Sequence, residues 1–221
     1  SRIAVLHIVG TIASGKGGFD PVNGSVAGSE AIVEQIRKIR DDNSIKAIVL
    51  RIDSPGGSSV ASDVIWRELT ITRQENSNRP IVTSMSDLAA SGGYYIAVPA
   101  DAIVAQPGTL TGSIGIFGGK IVIGGTMGKL GIGTETVTSG ANADIYSPFT
   151  PFTAPQRAKV EEFMQDFYKG FIGKVAESRK STPEKIHEVA QGRVWTGRQA
   201  LQHGLVDALG GLDTAVAMAK E

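Results

Sequence analysis

Three short glycine-marked runs hold the residues that could do chemistry. Asp53-Ser54-Pro55-Gly56-Gly57-Ser58 closes an apolar run and opens a helical pattern. Exposed amides at such a helix start can bind an anion or a developing oxyanion. The same residues also serve as a plain tight turn between strand and helix. Ala89-Ala90-Ser91-Gly92-Gly93-Tyr94 places a serine hydroxyl among small residues at the mouth of another helix. Small neighbours admit a substrate backbone, and the helix dipole favours negative charge at that hydroxyl. The competing role for Ser91 is a helix N-cap, with the glycines there for packing. Leu110-Thr111-Gly112-Ser113-Ile114-Gly115 supplies a second serine, or simply a glycine-rich strand packed closely in a sheet.

Other reactive chemistry is scarce. There is no cysteine, so disulfides, thiol nucleophiles and zinc–thiolate sites are excluded. The three histidines are His7, His187 and His203. His7 falls inside a strand pattern, and the other two fall on polar helix faces. Neither a metal site nor a Ser-His-Asp triad is expected from them. No G-x-x-x-x-G-K-[ST] run exists to cradle a nucleotide, and no cofactor is called for. The charges balance, 22 Lys+Arg against 22 Asp+Glu, which argues against nucleic acid as a partner. Glycine is the excess, 28 in 221 residues, against an ordinary share of about 7%. These glycines do not recur every third residue, so collagen is excluded. With 41% hydrophobic residues the chain can build a core of one domain, or of two small ones.

The elements that must position the three runs follow a rhythm of strand, turn and helix. Ile3–Ile12 reads as a buried strand and Lys16–Ser25 as a loop. Ser29–Asp41 reads as a helix, with Ile32, Ile36 and Ile39 on one face. Lys46–Ile52 is a strand, and Ser58–Gln74 a helix with Val60, Val64, Ile65 and Leu69 inward. Glu75–Arg79 is a polar loop, Pro80–Met85 a strand, Ala89–Val98 a helix and Ala102–Ala105 a short strand. Thr109–Gly125 is mixed, and Gly133–Thr138 is extended. Thr153 and Gln156 form a capping box. They precede an apolar stripe of Val160, Phe163, Met164, Phe167, Phe171 and Val175, read as core. Thr182-Pro183 opens a further helix. Thr196 and Gln199 cap another that Gly204 ends, and Leu212–Lys220 is the last. The longest mainly apolar stretch, Ile96–Ala105, is broken by Asp101 and is too short to span a bilayer. The chain opens at Ser1 and enters an apolar run at once, the pattern expected of a segment cut at a domain boundary.

The order of the three runs is more specific than any one of them. With Gly192-Arg193-Val194-Trp195-Thr196-Gly197 and Gly204-Leu205-Val206-Asp207, they resemble the signal peptide peptidase A (protease IV) family. These are serine peptidases on the Clp protease/crotonase-like fold. The resemblance covers nearly the whole chain. It implies an α/β spiral of ββα units in one peptidase domain, with an α/β core over 1–150 and a helical C-terminal segment over 151–221. It implies Ser91 as nucleophile, with the amides of Gly57 and Gly92 as oxyanion donors. The base would be a lysine held neutral by burial, and Ser113 would orient it. Pro55, Gly56, Leu88 and Tyr94 would meet the substrate, with Ile114 beside them. Peptide substrates, chiefly cleaved signal peptides, and a homo-oligomeric ring are implied. So is a place at the bacterial inner membrane, facing the periplasm or cell exterior, through a part outside this chain. No metal or cofactor is implied.

The base is where the sequence departs from that family. Single-domain members carry the lysine in the segment that here reads Ser139–Pro148, and its position is taken by Ala143. Lys120 and Lys129 read as surface charges. Three explanations stand: the chain is the C-terminal half of a two-domain member with the lysine supplied by another domain or subunit, the lysine is replaced to trap substrate, or the chain is a catalytically inactive homologue. An acyl-CoA enzyme of the crotonase type would share the oxyanion amides but would not require Ser91.

Overall fold

The computed structural model describes residues 2–22 and 24–221. By internal contacts the chain divides into two units, Ser1–Gly115 with Gly170–Glu221, and Ile116–Lys169.

The first unit is built on a parallel sheet. It opens with β1 (Arg2–Val9), β2 (Thr11–Ala13), β3 (Gly17–Asp20), β4 (Gly24–Gly28) and the helix α1 (Ser29–Asp41). The expected single strand Ile3–Ile12 is therefore two, because the backbone turns at Gly10, φ 93°. Nor is β1 buried on both sides. Leu6 and Ile8 face inward while Val5, His7 and Val9 are exposed, the alternation of an edge strand. The stretch expected to be a loop, Lys16–Ser25, holds β3 and the start of β4, which pair antiparallel; its Asn23 lies outside the described residues. There β2 joins β4 in a small three-stranded sheet.

Next come β5 (Ile45–Ser54), α2 (Ser59–Glu75), β6 (Ile81–Ala90), α3 (Gly92–Ala97), β7 (Ala102–Ala105) and β8 (Leu110–Gly112). Ala47, Ile48, Val49, Leu50 and Ile52 of β5 are at most 1% exposed. Such a continuous apolar run marks a central parallel strand covered on both faces. The second unit holds α4 (Gly124–Lys129) and the start of α5 (Ala154–Ser178), which ends in the first unit. The chain closes with α6 (Pro183–Val189), β9 (Val194–Thr196), α7 (Gly197–Gln202), β10 (Ala208–Leu209) and α8 (Leu212–Met218). The main sheet runs β1-β5-β6-β7-β10, with β8 paired to β6 and β9 to β8.

One face carries α1 and α2, locked by Glu68, which accepts from Arg37 at 2.9 Å and Arg40 at 2.7 Å. The hydrogen bond from Arg37 leads in holding the Glu68 carboxyl below its ordinary pKa, against the effect of burial. On α2, Ile65 and Leu69 are buried, but Val60 and Val64 are 61% and 45% exposed, so they do not share the inward face. α8 packs through Ala215 and Ala219 against Ala47, Val49, Val82 and Val104. The apolar stripe of α5 divides likewise. Phe171 and Val175 are core, with the Phe171 ring 4.7 Å from that of Tyr95, while Phe163 is exposed.

In the second unit, Thr153 and Gln156 exchange the two bonds of a capping box. Gly133–Thr138, expected to be extended, carries no strand. Lys120 is not a free surface charge. Its ammonium donates to the Ile145 carbonyl at 3.0 Å and lies 4.5 Å from the Phe152 ring centre. Ala143 is exposed.

Candidate active site

Three parallel strands end together and deliver the three runs. Ser54 at the end of β5 pairs with Ala89 of β6, and Ala90 of β6 pairs with Gly112 of β8. The carboxyl ends of parallel strands are the usual place for a site in an open α/β sheet. The run expected to be helical from Ala89 is strand through Ala90, and the helix starts only at Gly92. Ser91 is the hinge between them.

Ser91 and Ser113 therefore leave neighbouring strands one residue beyond a matched pair. Both have left-handed backbone, φ 52° and φ 48°. A side chain in that region is strained by about 1–3 kcal/mol, so the surroundings must hold it there. The Ser91 amide donates to the Gly112 carbonyl at 2.9 Å, and its carbonyl accepts the Tyr95 amide at 2.9 Å. The Ser113 amide donates to the Arg193 carbonyl at 2.7 Å. Ser91 sits at the N-cap position of α3, yet its side chain makes no capping bond. That removes the capping role and leaves the partly exposed hydroxyl available.

The run after β5 packs directly on Ser91. A Cβ placed on Gly56 would lie 2.5 Å from the Gly92 nitrogen and 2.9 Å from the Ser91 Cβ. One placed on Gly92 would lie 3.3 Å from the Gly57 nitrogen. The two glycines whose amides were expected to act together are thus brought face to face beside the serine. Neither amide has an acceptor among the described residues. Two N–H groups left unpaired beside a serine hydroxyl can receive an anion.

The other expected residues fall as follows. Pro55 is exposed at the turn, and Leu88 is partly buried. Tyr94 is 0% exposed and donates from its hydroxyl to the Leu205 carbonyl at 2.7 Å. It is core, not a wall open to a ligand, because it hangs beneath α3; burial pushes its hydroxyl pKa up. Ile114 is also 0% exposed. The Leu205 segment is anchored by Asp207, which accepts the Ile103 amide at 2.8 Å and a paired grip from Arg179. Burial opposes the Asp207 charge, but Arg179 and the Ile103 amide outweigh it and hold the carboxyl below its ordinary pKa.

Among the described residues of this unit, the hydrogen bonds seen at Ser91 and Ser113 are made by backbone groups and not by a lysine. Lys174 is engaged with Asp63 at 3.5 Å and lies over the Trp66 ring. His203 stacks on Trp195, and His187 meets Gln191. Among the described residues no group of three His, Asp or Glu could hold a metal ion. No helix there is long and apolar enough to cross a membrane.

Sequence reasoning missed three supporting residues. Ser62 lies under Gly92, where a Cβ would come 2.4 Å from its hydroxyl oxygen. Ser54 and Ile12 grip the Gly56–Ser58 backbone. Ser54 had a signal, a hydroxyl two residues before a glycine amide; Ile12 had none, because its grip is made by backbone alone.

Residues 73–221 match peptidase family S49. The chain belongs to that family. Protease 4 of Salmonella typhi is 44% identical to this S49 chain over 220 residues, 99% of the chain and 34% of that protein. Serine protease SPPA, chloroplastic, of Arabidopsis thaliana is 42% identical over 221 residues, 100% of the chain and 32% of that protein. A protein provisionally named signal peptide peptidase SppA in Enterococcus faecium is 36% identical over 176 residues, 80% and 51% of the two lengths. The S49 chain spans about a third of the length of the first two. Its parallel central sheet flanked by helices agrees with the Clp protease/crotonase-like fold of the family.

Proposed function

We propose that this chain carries the nucleophile half of a serine endopeptidase site whose base is a lysine from another domain or a neighbouring subunit. The observation that carries the reading is the Ser91 hydroxyl, held at φ 52° without a capping bond beside the unpaired amides of Gly57 and Gly92. The neutral lysine takes the hydroxyl proton as Oγ adds to the scissile carbonyl carbon. The carbonyl π pair moves onto oxygen, which the two amides receive. Collapse expels the amine, which takes its proton from the lysine ammonium, and leaves an acyl-Ser91. Water, deprotonated by the same lysine, releases the acid and restores the hydroxyl. Ser113, one residue beyond the pair Ala90–Gly112, orients the lysine.

The substrate class we infer is cleaved signal peptides and similar apolar peptides, at the bacterial inner membrane on its periplasmic or outer side, within a homo-oligomeric ring. The name of the Enterococcus faecium relative supports the signal-peptide part of this reading. The test is labelling of the full-length protein by a fluorophosphonate. Ser91 should be modified and Ser91→Ala should be silent. An unlabelled Ser91, in a sample where another serine peptidase labels, would leave the inactive-homologue reading in its place.

A further inference from the structure

We propose that Ser54 is a positioning residue that aims the Gly57 amide; the inference rests on the reading of Ser91 and Gly57 just given. Ser54 is 0% exposed at the last position of β5. Its hydroxyl accepts the Gly56 amide at 3.1 Å. The Gly56 carbonyl accepts the Ile12 amide at 2.8 Å, and the Ser58 amide donates to the Ile12 carbonyl at 2.8 Å. The Gly56 amide, the Gly56 carbonyl and the Ser58 amide are therefore pinned, while the Gly57 N–H has no acceptor among the described residues.

The direction of the leftover group follows from peptide geometry. The Gly56 carbonyl and the Gly57 N–H belong to one planar trans unit and point opposite ways. Holding the carbonyl on Ile12 turns the N–H away from β2. It turns toward Gly92, where a Cβ would lie 3.3 Å from the Gly57 nitrogen. The Ser54 hydroxyl fixes the peptide unit just before this one. Two successive glycines make a soft backbone, so a fixed entry matters here. The main chain of Ser54 also meets the serine run, because a Cβ on Gly93 would lie 2.7 Å from the Ser54 carbonyl oxygen. One buried residue thus sets the spacing of both amides.

The test uses the full-length enzyme, a peptide aldehyde and the matching peptide alcohol. With the aldehyde, Ser91 Oγ bonds to the carbonyl carbon and the hydroxyl proton ends on the hemiacetal oxygen, which occupies the oxyanion position. The alcohol has no carbonyl and binds by ordinary contacts. Ser54→Ala is expected to weaken the aldehyde about tenfold or more while the alcohol changes less than about twofold, with kcat falling at constant KM. Equal losses for both ligands, or none for either, overturn the inference. Should Ser54→Ala not fold, Ser54→Cys, close in size and a weak acceptor, is read against the same outcomes. Ser91→Ala separates the two levels. If it still forms the aldehyde adduct, the Ser91 reading falls. If it does not, while Ser54→Ala binds like wild type, only the role of Ser54 falls.

Discussion

Two adjoining stretches of this molecule reach left-handed backbone by opposite means. Gly56 and Gly57 do so at φ 94° and 149° with no side chain to obstruct. Ser91 and Ser113 do so at φ 52° and 48° with a side chain in place. Where the proposed chemistry asks only for an amide, the chain uses glycine. Where it asks for a hydroxyl, it accepts strain of about 1–3 kcal/mol per residue and surrounds the residue with backbone bonds. At these two turns the strain falls where a side chain is wanted; Lys180 and Gln191, at φ 48° and 61°, show that positive φ outside glycine is not confined to them.

The contrast can be broken most sharply at Ser91. Ser91→Ala in the full-length protein should lower peptide turnover about 10⁶-fold, the scale seen when a serine nucleophile is removed, with an unchanged melting curve. Residual turnover near the wild-type rate would remove the reason for strain at this position. Gly56→Ala comes next. Its methyl would lie 2.5 Å from the Gly92 nitrogen, so turnover should fall about 10²- to 10³-fold and the urea midpoint should drop with it. Normal stability in that variant would show that the glycine run is not held as tightly as the serine run.

A third test isolates the strain. Ser113→Gly should be more stable than Ser113→Ala by about 1–2 kcal/mol, because only the glycine relieves the left-handed backbone. Paired urea titrations read the difference, and equal midpoints would deny that Ser113 is strained. Both variants should lose turnover alike. The smallest effect lies beneath the serine turns, at Asp207. Its folded pKa is lowered, so its stabilisation is full above the unfolded value and fades as pH falls through the folded one. The urea midpoint should therefore decline as pH falls below the ordinary carboxylate range, and Asp207→Asn should flatten that decline.

Much of this arrangement was legible in the residues, and the exceptions share causes. The caps were legible because side chain and spacing declare them: Thr153 with Gln156, Thr182 before Pro183, Thr196 with Gln199. Buried β5 was legible from its unbroken apolar run. The end of β6 was not, because Ala89-Ala90-Ser91 suits a helix start as well as a strand end, and only pairing with β8 decides. The β3–β4 hairpin hid in glycine-rich polar residues whose stability comes from pairing. Tyr94 reads as a wall of the site because it follows Ser91-Gly92-Gly93; its partner, the Leu205 carbonyl, is 111 positions away. Val60 and Val64 fit the helical period but lie on the exposed side of α2, away from Ile65 and Leu69. The family resemblance pointed to the amides of Gly57 and Gly92; that neither has an acceptor among the described residues was visible only in three dimensions.

The support of the serine turns from late in the chain has a consequence for biosynthesis. Ser113 hangs from the Arg193 carbonyl, and Tyr94, under the helix that Ser91 opens, from the Leu205 carbonyl. A ribosome delivers residues in order, so the serine emerges long before the groups that seat it. The growing polypeptide must hold Ser91 and Ser113 without these two supports until translation has passed Leu205.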